Sequence, residues 1–148
     1  MRNLVFETTV PAAIDRVWYM FEKIEEYPQL IEYCHTAKLA GGFEEGSSWH
    51  DWSTVLIVPL KVSHQIEKIL PKEEIIYSIP LPFGGFLKQN FTLVEKTSKE
   101  TYVKVGITID FESKLLDSLF GSFVEYRNRK MINKTIENFQ DRFKNANN

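Results

Sequence analysis

Residues 3–10, NLVFETTV, alternate along the chain, with Leu4, Phe6, Thr8 and Val10 on one side. That two-residue period predicts a strand. Pro11 is placed to begin a helix as its first residue, and Ile14, Val17, Trp18 and Phe21 then recur at helical spacing. A second short helix is expected to open at Pro28, in YPQLIEYC. The next seventy or so residues carry no helical period and read as six strands, near 35–43, 48–58, 60–70, 73–80, 86–96 and 100–111. The last is the most regular: Val103, Val105, Ile107, Ile109 and Phe111 alternate with Tyr102, Lys104, Thr108 and Asp110. One face is apolar and the other polar, as in an antiparallel sheet covered on one side.

From about 115 to 144 the period becomes helical again, with Val124, Met131, Ile132, Thr135, Ile136, Phe139 and Phe143 on one stripe. Leu116, Phe120 and Phe123 fall off that stripe, and Gly121 lies among them. Either the helix breaks or kinks near Gly121, or its first turns bury an additional face.

Successive turns of an antiparallel meander fall at alternate ends of the sheet. The turns GFEEGS, LPKEE and KTSKET at one end are charged, whereas IVPLK, IPLPFGGF and FESKLLDSLF at the other are apolar. Three apolar connections at one end predict a rim that covers a hydrophobic cavity or touches something hydrophobic. Pro80 and Pro82 restrict the 80–86 loop, and Gly84-Gly85 is its expected hinge. Plugging of the core end by Phe83 is the plainer alternative.

Composition narrows the function. The chain has 148 residues, read as one domain over 1–148, with a net charge of −2 and both signs interspersed. Neither nucleic acid nor an anionic membrane is an expected partner. The single cysteine, Cys34, excludes an intrachain disulfide and suits a reducing compartment. With no apolar leader and no membrane-length run, the reading is a soluble, cytoplasmic protein. Eleven Phe among 14% aromatic residues suggest broad, flat contact surface.

The order strand, two helices, six strands, long helix, together with Pro11-Ala-Ala-Ile-Asp-Arg-Val-Trp18, Phe21 and EEYPQLIEYCHTAKL (25–39), resembles the START/birch-pollen-allergen (SRPBCC) superfamily. Its nearest branch is the polyketide cyclase/dehydrase or coenzyme Q-binding START-type group. Where that group often has Pro-Trp-Cys, this chain has Glu32-Tyr33-Cys34. The resemblance implies an α+β helix-grip fold: a seven-stranded curved antiparallel sheet wrapped around a long C-terminal helix, with two short helices after strand 1. It also implies a deep apolar cavity between sheet and helix. Members bind lipids, quinones, polyketides or plant hormones, some catalyse aromatic cyclisation, and one bacterial group is linked to ribosomes.

Several side chains are candidates for such a cavity. His64 shares a strand face with Leu60, Val62 and Ile66, as a general acid or base or as a buried, hydrogen-bonded histidine. Tyr77, between Ile75 and Ile79, and Gln89, between Leu87 and Phe91, bring a hydroxyl and an amide that a ligand or the protein must satisfy. Trp52, in parity with Leu56, is placed to stack on a flat ligand or to fill core. Ile107 and Ile109 supply apolar wall, while Phe83, Phe86, Phe120 and Phe123 flank the expected access route past the 80–86 loop and the 115–123 segment. Arg127 and Lys130 either hold an anionic head group or cover helix surface. The three histidines and Cys34 have no zinc spacing, and neither a phosphate loop nor a nucleophile elbow is present. No metal or cofactor is expected. These readings point to binding or transport of a small hydrophobic molecule: a lipid, an isoprenoid or quinone, or a polyketide-like compound. A cyclase or dehydratase using His64 or Tyr77 is the alternative, and transient membrane or protein contact through the 80–86 loop is a third.

Overall fold

The computed structural model describes residues 1–55, 58–82 and 84–146. β1 (Arg2–Val10) is followed by α1 (Ile14–Glu22), a 3-10 turn (Ile24–Gln29), β2 (Cys34–Ala40), β3 (Ser48–Val55), β4 (Val58–Leu70), β5 (Glu74–Pro80), β6 (Phe86–Thr97) and β7 (Glu100–Asp110). The chain then forms α2 (Lys114–Leu116), a π-helical turn (Asp117–Gly121) and α3 (Ser122–Ala146), a continuous helical stretch of 33 residues. The seven strands make one curved antiparallel sheet in the order β1-β7-β6-β5-β4-β3-β2, and the helix-grip α+β architecture is present as expected.

Alternation decides which side chains turn inward. On β7, Val103, Val105, Ile107 and Ile109 are buried, and they lie beside Leu87 and Leu93 of β6 and Leu4 and Val10 of β1. This face packs against the α3 stripe of Ile132, Ile136, Phe139 and Phe143, while α1 adds Val17, Trp18, Met20 and Phe21. A bulge between Ile66 and Lys68 resets the parity of β4, so that Ile66 and Ile69 both reach the core.

The helix starts differ from the sequence reading. Pro11 precedes α1, whose cap is Ala13, because Thr101 anchors the connecting segment first: its hydroxyl donates to the Ala12 carbonyl at 2.8 Å. Pro28 lies inside the 3-10 turn and does not open it. At the β5–β6 connection, Gly84 and Gly85 both have positive φ, at 101° and 99°. A Cβ on Gly85 would collide with the Asp110 carbonyl, so this glycine permits close approach of two backbones.

At the start of the long helix, Ser113 caps the amides of Leu115 and Leu116. The helix then widens at the π turn, ending at Gly121. Arg2 bridges this turn: its Nε donates to Asp117 Oδ1 at 2.8 Å and its Nη1 donates to Glu125 Oε2 at 3.1 Å. A Cβ at Gly121 would lie 2.5 Å from Arg2 Nε. The inserted residue turns the preceding side chains by about 100°. Instead of burying a further face, Leu115, Leu119, Phe120 and Phe123 point outward. Among the described residues, no helix is long and apolar enough to cross a membrane.

Candidate functional site

Between the inner face of the sheet and α3 lies a cavity of about 110 Å³. Its walls include the aromatic rings of Phe21, Tyr27, Trp49, Tyr77, Phe91 and Phe139, with Leu30, Val105 and Met131 among the aliphatic contributors. Two hydrogen bonds tie these walls to α3: Asn138 Nδ2 donates to the Leu30 carbonyl, and Gln140 Nε2 donates to Thr8 Oγ1, both at 2.8 Å.

Asp51, His64 and Gln89 bring polar side chains to this lining, and all three are buried. Asp51 and His64 lie on neighbouring strands, where the β3–β4 register sets Trp49 opposite His64 and Asp51 opposite Val62. His64 Nε2 is 3.3 Å from Asp51 Oδ1, and Ser53 Oγ donates to Asp51 Oδ2 at 2.7 Å. Trp49 stacks on the imidazole at 3.6 Å, with the planes 8° apart. Burial lowers the His64 pKa; the hydrogen bond and charge of Asp51 oppose that shift without overcoming it. The ring is therefore neutral near neutral pH. Because the Asp51 carboxylate only accepts, Nε2 carries the proton and Nδ1 is a bare acceptor. His64 Nδ1 and Trp49 Nε1 are both buried without a partner among the described residues.

Tyr77 contributes its ring to the lining, but its hydroxyl is already engaged. Tyr27 donates to the Phe21 carbonyl at 2.6 Å, which leaves the Tyr27 oxygen to accept from the Tyr77 hydroxyl at 3.1 Å. Burial raises the pKa of both phenols. Gln89 is different: it is 7% exposed, and among the described residues no hydrogen bond engages its amide. Cys34 is buried in β2, and its thiol pKa is pushed up to about 12, by burial first and by Asp51 second. The thiol stays protonated and is no nucleophile. Among the described residues, no three His, Cys, Asp or Glu side chains converge as metal ligands.

Of the side chains singled out from the sequence, His64, Tyr77, Gln89 and Phe91 come together on the cavity wall. Ile107 and Ile109 share the inner face but fill solid core outside the lining. Ile79 and Phe86, both half-buried at the β5–β6 end, are also off the lining. Trp52 is 48% exposed on the outer face of β3; the ring facing inward is Trp49. Phe120 and Phe123 both face outward, Phe123 because it lies off the apolar stripe of α3, and Arg127 lies over the Tyr33 ring, 4.9 Å from its centroid. Leu56 and Phe83 fall outside the described residues. The predicted access route past 80–86 and 115–123 contributes no described residue to the lining. Sequence reasoning missed Trp49 and Asp51, although both alternate with Ser53 on one strand face.

No protein-family model matches the chain, and no curated protein matches it. Solved structures do. A START superfamily protein from Mycobacterium smegmatis aligns with a TM-score of 0.72 at 12% identity, covering 97% of this chain and 98% of the other. The Zhui aromatase/cyclase of Streptomyces sp. R1128 gives 0.75 at 12% identity, over 95% and 94%. A point mutant of Thalictrum norcoclaurine synthase, solved with a transition-state analogue, gives 0.77 at 8% identity, over 99% and 96%. The helix-grip fold of the START/birch-pollen-allergen superfamily is thus the fold of this chain.

Proposed function

We propose that the protein binds a small, largely apolar molecule, about one aromatic ring in size, between the sheet and α3. The observation that carries this reading is the aromatic-lined cavity that receives the buried, unengaged amide of Gln89. An apolar body supplies the driving force and one polar group fixes its orientation, the usual division in a small-molecule site. An apolar cavity of about 150 Å³ takes up benzene. The space here, about 110 Å³, suits a single ring once a flexible wall residue such as Met131 shifts. A quinone tail or a folded polyketide requires α3 and the Leu30 segment to part, which breaks the Asn138–Leu30 bond. Six ring carbons at about 0.8 kcal/mol each give roughly 5 kcal/mol before ordering costs, so affinity in the millimolar range, no tighter than about 0.2 mM, is expected from the apolar body alone.

A second reading, an enzyme of the cyclase or dehydratase type, draws on the Asp51–His64 pair, which puts a neutral imidazole and a carboxylate on the cavity wall. The related fold serves a START protein and an aromatase/cyclase alike, so architecture does not choose between the two. Saturation-transfer NMR with single-ring compounds tests the binding reading. Saturable signals are expected for wild type and should disappear in Val105→Phe, which fills the cavity. Signals that persist unchanged in that variant would place binding elsewhere.

A further inference from the structure

We infer that the chain pairs with a second copy of itself through the outward face of its helix start, residues 115–126, with the two helices antiparallel across a two-fold axis. This face lies outside the cavity, so the inference stands apart from the binding reading above.

A surface helix ordinarily turns charged and polar residues to the solvent. Over these turns the reverse holds. Leu115, Leu119 and Tyr126 are 67%, 64% and 64% exposed, and Phe120 and Phe123 are 43% and 39% exposed. Between Leu115 and Val124 the only charged residue is Asp117, and Arg2 already holds its carboxylate. At about 200 Å² for each large side chain, the exposed fractions leave roughly 500 Å² of apolar surface, near the top of what a monomer carries in one patch. Two copies face to face would remove roughly 1,000 Å² from water, the least that a specific interface needs.

The shape of the face fits a copy of itself. Leu115, Leu119 and Phe123 recur every fourth residue and form a ridge. The next row round the helix, Ser118 and Ser122, is exposed and shallow, and Tyr126 closes its end. Two-fold symmetry brings the ridge of each copy to the shallow row of the other, so one good fit is made twice. Charge sets the direction. With the axis between Leu119 and Phe120, an antiparallel pair sets Glu112 opposite the partner's Arg127 and Lys114 opposite the partner's Glu125. A parallel pair would set each of these against its own kind. A bilayer is the poorer occupant, because both signs border the face, whereas a helix lying on an anionic membrane is rich in Lys and Arg on its polar side.

Sedimentation equilibrium of the full chain from about 2 to about 200 µM tests this, the range in which an interface of minimum size dissociates. The weight-average mass is expected to rise from one chain to two and to level there. Leu119→Glu, at a site exposed in the single chain, should keep the far-UV circular dichroism of wild type and remain one chain at every concentration. Glu112→Lys and Arg127→Glu should each weaken the pair by roughly 2- to 10-fold, because symmetry counts each ion pair twice, and the double variant should recover it. One chain throughout in wild type, an undiminished pair in Leu119→Glu, or a mass that climbs past two chains would each overturn the inference. A double variant no better than the single ones would overturn the antiparallel arrangement. Phosphatidylcholine–phosphatidylglycerol vesicles supply the last check: a wild type that is monomeric alone and sediments with them, where Leu119→Glu does not, would make this face a membrane surface and sink the pairing.

Discussion

Replacing Gln89 with Leu should make the protein more stable and a poorer binder. Gln89 is 7% exposed on β6, its backbone paired to Tyr77 on one side and Ile107 on the other, and its amide has no engagement among the described residues. Burying an unpaired amide costs about 1–3 kcal/mol as judged from mutations. Leu has a similar volume, removes that cost and adds apolar contact with the surrounding rings. The expected gain is about 2 kcal/mol, and for a chain of this length that corresponds to a Tm rise of about 4–8 °C. Thermal melts by circular dichroism, with urea unfolding at 25 °C as a check on the slope, measure it directly. Affinity for a single-ring compound bearing one hydrogen-bonding group should fall in the same variant, the trade expected where a site keeps an unmet polar group for its ligand. A Leu variant no more stable than wild type would show that the amide is satisfied in solution, and the orientation argument would lose its basis.

Two further outcomes can be measured. Gly85→Ala should destabilise by at least about 2 kcal/mol in urea unfolding, because φ is 99° and the new Cβ meets the Asp110 carbonyl, which belongs to the backbone and cannot swing away; a neutral effect would mean that the β5–β6 turn does not press on β7. Acid should weaken the fold in two separate windows. His64 has a lowered pKa in the native state, so the unfolded chain takes up its proton first; the stability from the neutral ring is full above about 6.5 and declines as pH falls below that value. Asp117 and Glu125, both lowered by hydrogen bonds from arginine, lose their contribution only as pH falls below the ordinary carboxylate range. Urea midpoints at pH 7.5, 6.5 and 5.5 should slope downward in wild type and flatten in His64→Gln; parallel slopes would argue against a buried neutral imidazole.

The fold was legible wherever one periodicity ran unbroken. β1 and β7 alternate cleanly because one face of each meets core, and the α3 stripe from Val124 to Phe143 holds a single phase. β3 misled for a physical reason. Trp49 and Trp52 have opposite parity, and the inward set also holds Asp51 and Ser53, which read as solvent positions because their mutual hydrogen bond is invisible in a linear pattern. The carboxylate beside His64 was hidden for the same reason, since it arrives from the neighbouring strand. The off-stripe aromatics near Gly121 did signal an irregularity, but the residue that bridges the π turn, Arg2, lies some 115 residues away in sequence. The apolar end was visible too, yet loop parity tells which connections share an end and not how far along the strands the cavity lies. The lining draws on Val10, Val103 and Phe91 instead of the 80–86 turn.

The placement of β1 has a consequence for synthesis. Among the described residues its only neighbour in the sheet is β7, from Arg2 opposite Ile109 to Val10 opposite Thr101. A nascent chain growing at about 5–20 residues per second must wait roughly 5–20 s before that partner emerges from the ribosome. Throughout that interval Leu4, Phe6 and Val10 have no sheet to join, and the helix start that Arg2 will hold has not been translated. Conditions that slow elongation or remove chaperones should therefore lower the yield of this protein through its first ten residues, although the finished molecule buries their apolar side.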